Sequence, residues 1–404
     1  MNVPPKYCTG CTSCMNICPQ KCIQMIEDGE GFLYPQIDNS KCIQCGVCEK
    51  VCAVLHKERS RIPISIYVAK NANENIRMES SSGGIFTLIA EHILSEGGVV
   101  FGAKFNERWE VIHDYTETVK GLAEFRGSKY VQSSIGNTFQ QVKLFLKAGR
   151  KVLFTGTPCQ IIGLKKYLRK EYENLLTIDF ICHGVPSPKV WRTYLEESLS
   201  NKRDSKYYPF FESEKNSINK IEFRSKLTGW KNYSFVLTFS RTMFNGGQMY
   251  TSIAWENPYM RGFLSDLYLR PSCHHCFVKG FRSQSDITIA DAWGIEYYLP
   301  QWNDDKGASL LCIFNKKSLE ILGKLTHIEY IPVDDSVISK HNEAAYRCPR
   351  ESEKRRKFFK LLENNKFPFP IMIDKCLPAD TYWDKLIWSI NKRIKRYVKS
   401  LVSH

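Results

Sequence analysis

Nine of the chain's 16 cysteines fall within its first 52 residues, and their spacing constrains that segment more tightly than any other feature of the 404-residue sequence. Cys8, Cys11, Cys14 and Cys18 follow a C-x2-C-x2-C-x3-C pattern with Pro19 next. Cys42, Cys45, Cys48 and Cys52 repeat it 34 residues later, with Ala53 in place of the proline. A thiolate at every third residue of a tight loop wraps three corners of an iron–sulfur cube, and the fourth cysteine of each run reaches the neighbouring cube. The spacing therefore predicts two [4Fe–4S] clusters of the bacterial ferredoxin type. One is held by Cys8, Cys11, Cys14 and Cys52, the other by Cys18, Cys42, Cys45 and Cys48. Structural zinc uses paired C-x2-C knuckles instead of this triple run. Cys22 is left over and reads as a buried thiol.

The start of the chain, MNVPPKYCTG, lacks the apolar stretch of a secretion signal, and no run reaches the ~18 apolar residues of a membrane-spanning helix. A cytoplasmic setting is expected, with reduced thiols and no disulfides. Hydrophobic residues at 43% and charged residues at 25% exclude disordered and low-complexity classes. The formal charge of +15 asks for an anionic partner, ligand or surface.

Residues 1–58 read as a ferredoxin-like α+β module, closed by the polar stretch HKERSRIPI at 56–64. Beyond it, buried-strand patterns at 98–103, 151–155 and 175–181 alternate with helical spacing at 85–95, 136–148, 158–169 and 188–199, which indicates an α/β domain. A β-rich insertion follows, with IEFRS (221–225) and YSFVLTF (233–239), then the short strand DITIAD (286–291). The expected divisions are 65–200 and 201–340 as two parts of one domain, and 341–404 as a basic helical tail.

Five segments carry a family resemblance: SSSGGIFTLI (80–89), FRGSKYVQSS (125–134), LFTGTPCQIIGLKKYL (153–168), DFICHGVPSP (179–188) and CHHCFVKGFRSQSDITIADAWG (273–294). In this order they resemble the motifs of the coenzyme F-420 hydrogenase/dehydrogenase beta-subunit family. GFLYPQIDNSKC (31–42) is also typical of the ferredoxin module fused to it. The resemblance implies an FAD-containing, flavin-binding α/β domain. It also implies an oxidoreductase that exchanges electrons with a redox partner protein, a deazaflavin coenzyme or another small substrate. A non-catalytic electron-transfer subunit of a larger complex, serving a polysaccharide-biosynthesis pathway, is the rival reading, and a body that has lost its flavin is a third.

SSSGG before an apolar helical run suits a flavin pyrophosphate, although such turns are ordinarily caps. With the resemblance, Ser82, Gly83, Gly84 and Thr87 become cofactor contacts, and Gly127, Ser128, Lys129 and Gln132 form a second set. Lys129 then compensates a phosphate or reduced flavin; otherwise it is a solvated lysine. Thr157, a further cofactor contact under the resemblance, precedes Pro158 and Cys159 at a helix start, where the dipole favours a thiolate, leaving nucleophile and metal ligand both open for Cys159. Cys182 ends a neighbouring strand. With Cys273 and Cys276 these four thiols, from three segments, are candidates for a third [4Fe–4S] site. A zinc site using His183, His274 or His275 with Cys273 and Cys276 is the alternative. Asp291 orients a cofactor or caps a turn. Cys312, Cys348 and Cys376 read as isolated thiols.

No catalytic Ser/His/Asp arrangement, Walker loop or G-x-G-x-x-G fingerprint is present, so hydrolysis, phosphoryl transfer and a Rossmann NAD site lack support. Residues 385–404 carry Lys385, Lys392, Arg393, Lys395, Arg396 and Lys399 without an acid. Their apolar residues recur near helical spacing, which predicts a basic amphipathic helix that docks on the body or touches an anionic membrane. No motif supports nucleic-acid binding.

Overall fold

The computed structural model describes residues 3–199, 218–239 and 249–377. Its first part is a small module around an antiparallel hairpin, β1 (Ile23–Glu27) and β2 (Leu33–Ile37), with Ile23 opposite Ile37. Two short helices, Ser13–Ile17 and Val47–Lys50, carry the middle of each cysteine run. The rest is a mixed α/β fold. Strands β3 (Ser65–Asn71), β4 (Val99–Phe105), β5 (Val111–Thr116), β6 (Val152–Thr155) and β7 (Leu175–Phe180) come first. Then β8 (Ile218–Ser225), β9 (Ser234–Phe239) and β10 (Met249–Ile253) form a separate three-stranded antiparallel sheet. The last strands are β11 (Ile287–Asp291), β12 (Ser309–Ile313) and β13 (Ile328–Pro332).

The large sheet has eight strands in the order β13-β3-β12-β11-β7-β6-β4-β5. β4, β6, β7 and β11 run parallel, while β5, β12 and β13 pair antiparallel with their neighbours. Strands from 65–200 and from 201–340 thus share one sheet. Side chains alternate across it, as the two-residue period of a strand requires. Val100, Leu153, Leu176 and Ile178 face the helix Ile85–Ser95 through Leu88, Ile89 and Ile93. Val99, Phe101, Val152 and Phe154 face the helices Thr138–Lys147 and Pro158–Leu168 through Phe139, Val142, Ile161 and Leu164. Burying each such side chain stabilises the sandwich by about 1.5–3 kcal/mol.

A third, aromatic core ties the helix Pro188–Leu199 to the small sheet through Trp191, Tyr194, Phe223, Phe235 and Tyr259. Phe358, Phe369, Met372 and Ile373 complete it. The helices Arg355–Asn364 and Phe369–Cys376 are therefore part of this core, not of a tail. The basic stretch 385–404, with its membrane-contact reading, lies outside the described residues. Among the described residues no helix is long and apolar enough to cross a membrane.

This topology brings the carboxyl ends of β3, β4, β6, β7 and β11 to one side of the sheet. Ligands gather at that side in α/β folds. The Ser80–Gly84 turn lies there, as do Cys159, Cys182 and Asp291.

Candidate functional site

The N-terminal repeat is visible in the backbone as well as in the cysteines. Gly10 (φ +68°) and Gln44 (φ +54°) each lie two residues after the first cysteine of a run. Thr12 (φ +65°) and Gly46 (φ +70°) each follow the second. Left-handed residues at matching positions curl both loops in the same way. Cys8, Cys11, Cys14 and Cys52 converge on one cavity. Burial first, then the charges of Cys11, Cys8 and Cys52, push the Cys14 thiol up. On the other side Cys18, Cys42 and Cys48 pack on buried Cys22, while Cys45 is exposed. Cys22 is buried as expected, but it is not remote from the ligand set. Its Sγ lies 3.4 Å from that of Cys18, and this contact heads the causes that push it up to about 11.

The second concentration of thiols lies at the carboxyl ends of β6 and β7. Thr157 starts the helix Pro158–Leu168 with a capping box to Gln160, and its hydroxyl is 3.2 Å from Cys159 Sγ. Cys182 follows β7, Cys273 sits on a short turn of 3-10 helix (Pro271–His275), and Cys276 follows it. All four thiols line one cavity. Burial pushes Cys159 up to about 12 and Cys273 up to about 11, with the other thiols of the set adding to it. Cys182 and Cys276 are also raised by burial. A nucleophile needs a depressed pKa, so the expected dipole effect at Cys159 is overridden. Thiols this high release their protons to solvent when a cationic group binds in the protons' place.

The neighbouring histidines have other contacts, although His183 lines the same cavity and the buried His274 Nε2 has no hydrogen-bond partner among the described residues. His183 Nε2 bonds Asp266 Oδ1 at 2.5 Å, His275 packs edge-on against Tyr7, and His274 Nδ1 lies 3.2 Å from the Pro349 carbonyl. Among the described residues no group of three or more His, Cys, Asp or Glu is spaced for a single metal ion. The donor set is four soft thiols around a shared cavity, which fits an iron–sulfur cube better than a zinc ion held by Cys and His.

The two thiol cavities adjoin. A Cβ on Gly163, in the Cys159 helix, would come 2.9 Å from Cys11 Cβ, and Ser13 Oγ donates to the Gly163 carbonyl at 2.8 Å. Thr9, from the first cysteine loop, lines the second cavity. Lys279, 8% exposed, donates to the Cys182 and Ala344 carbonyls. Cys348, read from sequence as isolated, points its Sγ at the Cys276 carbonyl, 3.7 Å away.

The other singled-out residues divide by their partners. Ser82 Oγ donates to the Ala308 carbonyl, and the Gly83 amide donates to Ser309 Oγ at 3.0 Å. A Cβ on Gly83 would lie 2.5 Å from the Ala69 carbonyl oxygen, so this turn is pressed against β3 and β12. Gly84 (φ +81°) caps the helix that follows, in which the buried Thr87 hydroxyl lacks a partner. Ser81 Oγ accepts from the Ser128 amide at 2.7 Å, which joins the two expected loops. Gly127 (φ +79°) has open space on its Cβ side. Lys129 Nζ donates to the Arg126 and Gly127 carbonyls, and dense surroundings push it down to about 7. Gln132 faces the cysteine module instead, donating to the Thr9 carbonyl and accepting from Arg270.

Asp291, at the end of β11, pairs with Arg224 at 2.6 Å and accepts from Trp230 Nε1. Arg224 was not legible as a site residue. It is buried against Tyr233 and Trp293, and its Nε and Nη2 lack partners. Lys226, 6% exposed, donates to the Arg77, Ser82 and Lys306 carbonyls and is pushed down to about 7, mainly by burial. Arg224 and Lys226 sit in a strand-and-turn segment without a cysteine or glycine signature, so no local signal marks them.

Residues 66–139 match the N-terminal model of the coenzyme F420 hydrogenase/dehydrogenase beta subunit, and 149–337 match the C-terminal model. The chain belongs to the coenzyme F420 hydrogenase/dehydrogenase beta-subunit family. Residues 7–55 match a 4Fe–4S dicluster domain. The chain is thus an iron–sulfur protein of the electron-transferring oxidoreductase type. A coenzyme F420-dependent sulfite reductase from Methanocaldococcus jannaschii is 25% identical over 169 residues, which is 39% of this chain. The match spans only a quarter of that relative's length. Among solved structures, the F420-reducing [NiFe] hydrogenase complex of Methanosarcina barkeri contains a chain that aligns with a TM-score of 0.45 and 19% identity. The alignment covers 76% of this chain and 94% of that one.

Proposed function

We propose that this family member is an iron–sulfur flavoprotein oxidoreductase that moves electrons between three [4Fe–4S] clusters and FAD. In this way it reduces or oxidises a small substrate or a deazaflavin coenzyme. The convergence of Cys159, Cys182, Cys273 and Cys276 on a cavity adjoining Cys11 carries the reading. When bound, the clusters supply single-electron transfer and the flavin joins it to two-electron chemistry. Cys8, Cys11, Cys14 and Cys52 hold one cluster, Cys18, Cys42, Cys45 and Cys48 the next, and the four later thiols the third. Lys279 offsets thiolate charge at the third site, and Thr157 orients Cys159.

For the flavin, the open Gly127–Lys129 loop and the two free donors of Arg224 offer contacts to anionic and polar groups. Asp291 holds the Arg224 guanidinium in place, and Ser82 and Gly83 brace the loop with Gly84 and Thr87 behind it. The physiological partner is then a redox protein or reduced coenzyme. Anaerobically purified protein should release FAD near stoichiometrically on denaturation. Arg224→Met should release several-fold less while retaining its iron, and should lose turnover with reduced deazaflavin in proportion. Wild-type protein with full iron and no flavin would overturn the reading.

A further inference from the structure

Four arginines are buried among the described residues: Arg77, Arg224, Arg270 and Arg355. Three of them have a carboxylate partner: Asp304 for Arg77, Asp291 for Arg224 and Glu30 for Arg355. Arg270 is the most deeply buried, at 1% exposure, yet no carboxylate among the described residues pairs with it. Its Nε donates to the Cys8 carbonyl at 2.8 Å, Nη1 to Gln132 Oε1 at 2.9 Å and Nη2 to the Leu33 carbonyl at 2.9 Å. All three acceptors are neutral. The guanidinium lies 4.4 Å from the centre of the Tyr34 ring and 5.4 Å from that of Phe32. A charge this dry is costly to bury unless an opposite charge faces it.

The surroundings say where that charge resides. Arg270 joins the loop of one thiol cavity to the loop of the other. Its side chain bonds the Cys8 carbonyl, and its own carbonyl accepts the Cys273 amide at 2.9 Å. A Cβ on Gly10 would approach Nη1 to 2.8 Å, so the first cysteine loop is folded directly over the guanidinium.

We propose that Arg270 is the fixed counter-charge between two thiolate-held cluster sites, the Cys8/Cys11/Cys14/Cys52 site and the Cys159/Cys182/Cys273/Cys276 site, and that it lowers the energy of an electron on either of them relative to the Cys18/Cys42/Cys45/Cys48 site. This rests on the reading of those eight thiols as cluster ligands. One electron leaves one site, which is oxidised by one unit, and enters the other, which is reduced by one unit. No bond or proton changes hands. Arg270 favours the more negative, reduced state on either side, and its three hydrogen bonds prevent it from reorienting as the electron moves. At about 10 Å and an effective dielectric of about 20, one charge shifts a reduced-to-oxidised ratio on the order of tenfold.

The test is an anaerobic redox titration of the full chain followed by electron paramagnetic resonance. Signals are assigned with Cys45→Ser and Cys273→Ser, and iron is measured on every sample. In Arg270→Met, the reduced-to-oxidised ratio of both flanking clusters at a fixed potential should fall about tenfold. The Cys18/Cys42/Cys45/Cys48 cluster should be unmoved, and Arg270→Lys should restore most of the loss. Gln132→Glu places a carboxylate against Nη1 while leaving Arg270 present, and should lower the same two clusters. This variant decides the matter if Arg270→Met fails to fold. Wild-type titration of both flanking clusters in these variants, or an equal shift of all three, would overturn the proposal. An iron content near eight per chain would instead sink the third-cluster reading, leaving the Cys8 site alone to decide on Arg270.

Discussion

Gly10 and Gly46 form a controlled pair. Both sit in the left-handed region, but a Cβ on Gly46 meets open space, whereas one on Gly10 runs into Arg270 Nη1 at 2.8 Å. Gly46→Ala should cost about 1 kcal/mol of backbone strain. Gly10→Ala should cost clearly more, read as a lower midpoint for thermal bleaching of cluster absorbance; equal midpoints would show that the Arg270 contact is unimportant. Asp179 gives a pH prediction. Burial raises its carboxyl from 3.8 to about 7, against hydrogen bonds from Ser283 and Thr288. The folded chain then holds a proton that the unfolded chain releases, so stability falls as pH rises from about 4 to about 7 and levels off above it. Asp179→Asn should flatten the slope in thermal scans from pH 5.5 to 8, and an unchanged slope would exclude Asp179 as its source. The dicluster module was legible because the spacing of its cysteines is local. The surroundings of Arg270, Arg224 and Lys279 were not, because they are assembled from segments brought together only by folding.

The hairpin turn between β1 and β2 attaches the cysteine module to the body. Lys189 Nζ donates to the Gly29 carbonyl, Ser187 Oγ to that of Glu30, and Arg192 pairs with Glu27. Gly31 (φ +91°) makes the approach close enough, since a Cβ there would lie 2.2 Å from Lys189 Cβ. Gly31→Val should lift the hairpin and speed limited proteolysis within 56–64 several-fold, with iron at Cys8–Cys52 retained; unchanged cleavage would show docking elsewhere to be sufficient. At this scale the helices were the most readable elements. Ile85–Ser95 and Pro188–Leu199 fall where their periodicity placed them, because apolar residues recur on one face. β3, β12 and β13 went unread. SLLCI in β12 is buried throughout, so it carries no alternation, and the β13 edge is too exposed to carry an apolar one. These strands turn an expected α/β succession into a mixed sheet.

For the whole molecule, the excess of positive charge takes on a different meaning. Three four-thiolate clusters at about −2 each and one FAD pyrophosphate at about −2 would bring +15 down to roughly +7. Buried Arg270, Lys279 and Lys226 are then internal counter-charges, not evidence for an external anionic partner. The family was legible from five motifs in order, while the adjacency of the two thiol cavities required the fold. That a third cluster sits at the second of these cavities is what the proposed electron path turns on, and iron and sulfide analysis of anaerobically purified chain tests it most directly. The wild type should hold about twelve of each, and Cys273→Ser about eight. Close to eight in the wild type, with none lost in Cys273→Ser, would contradict it.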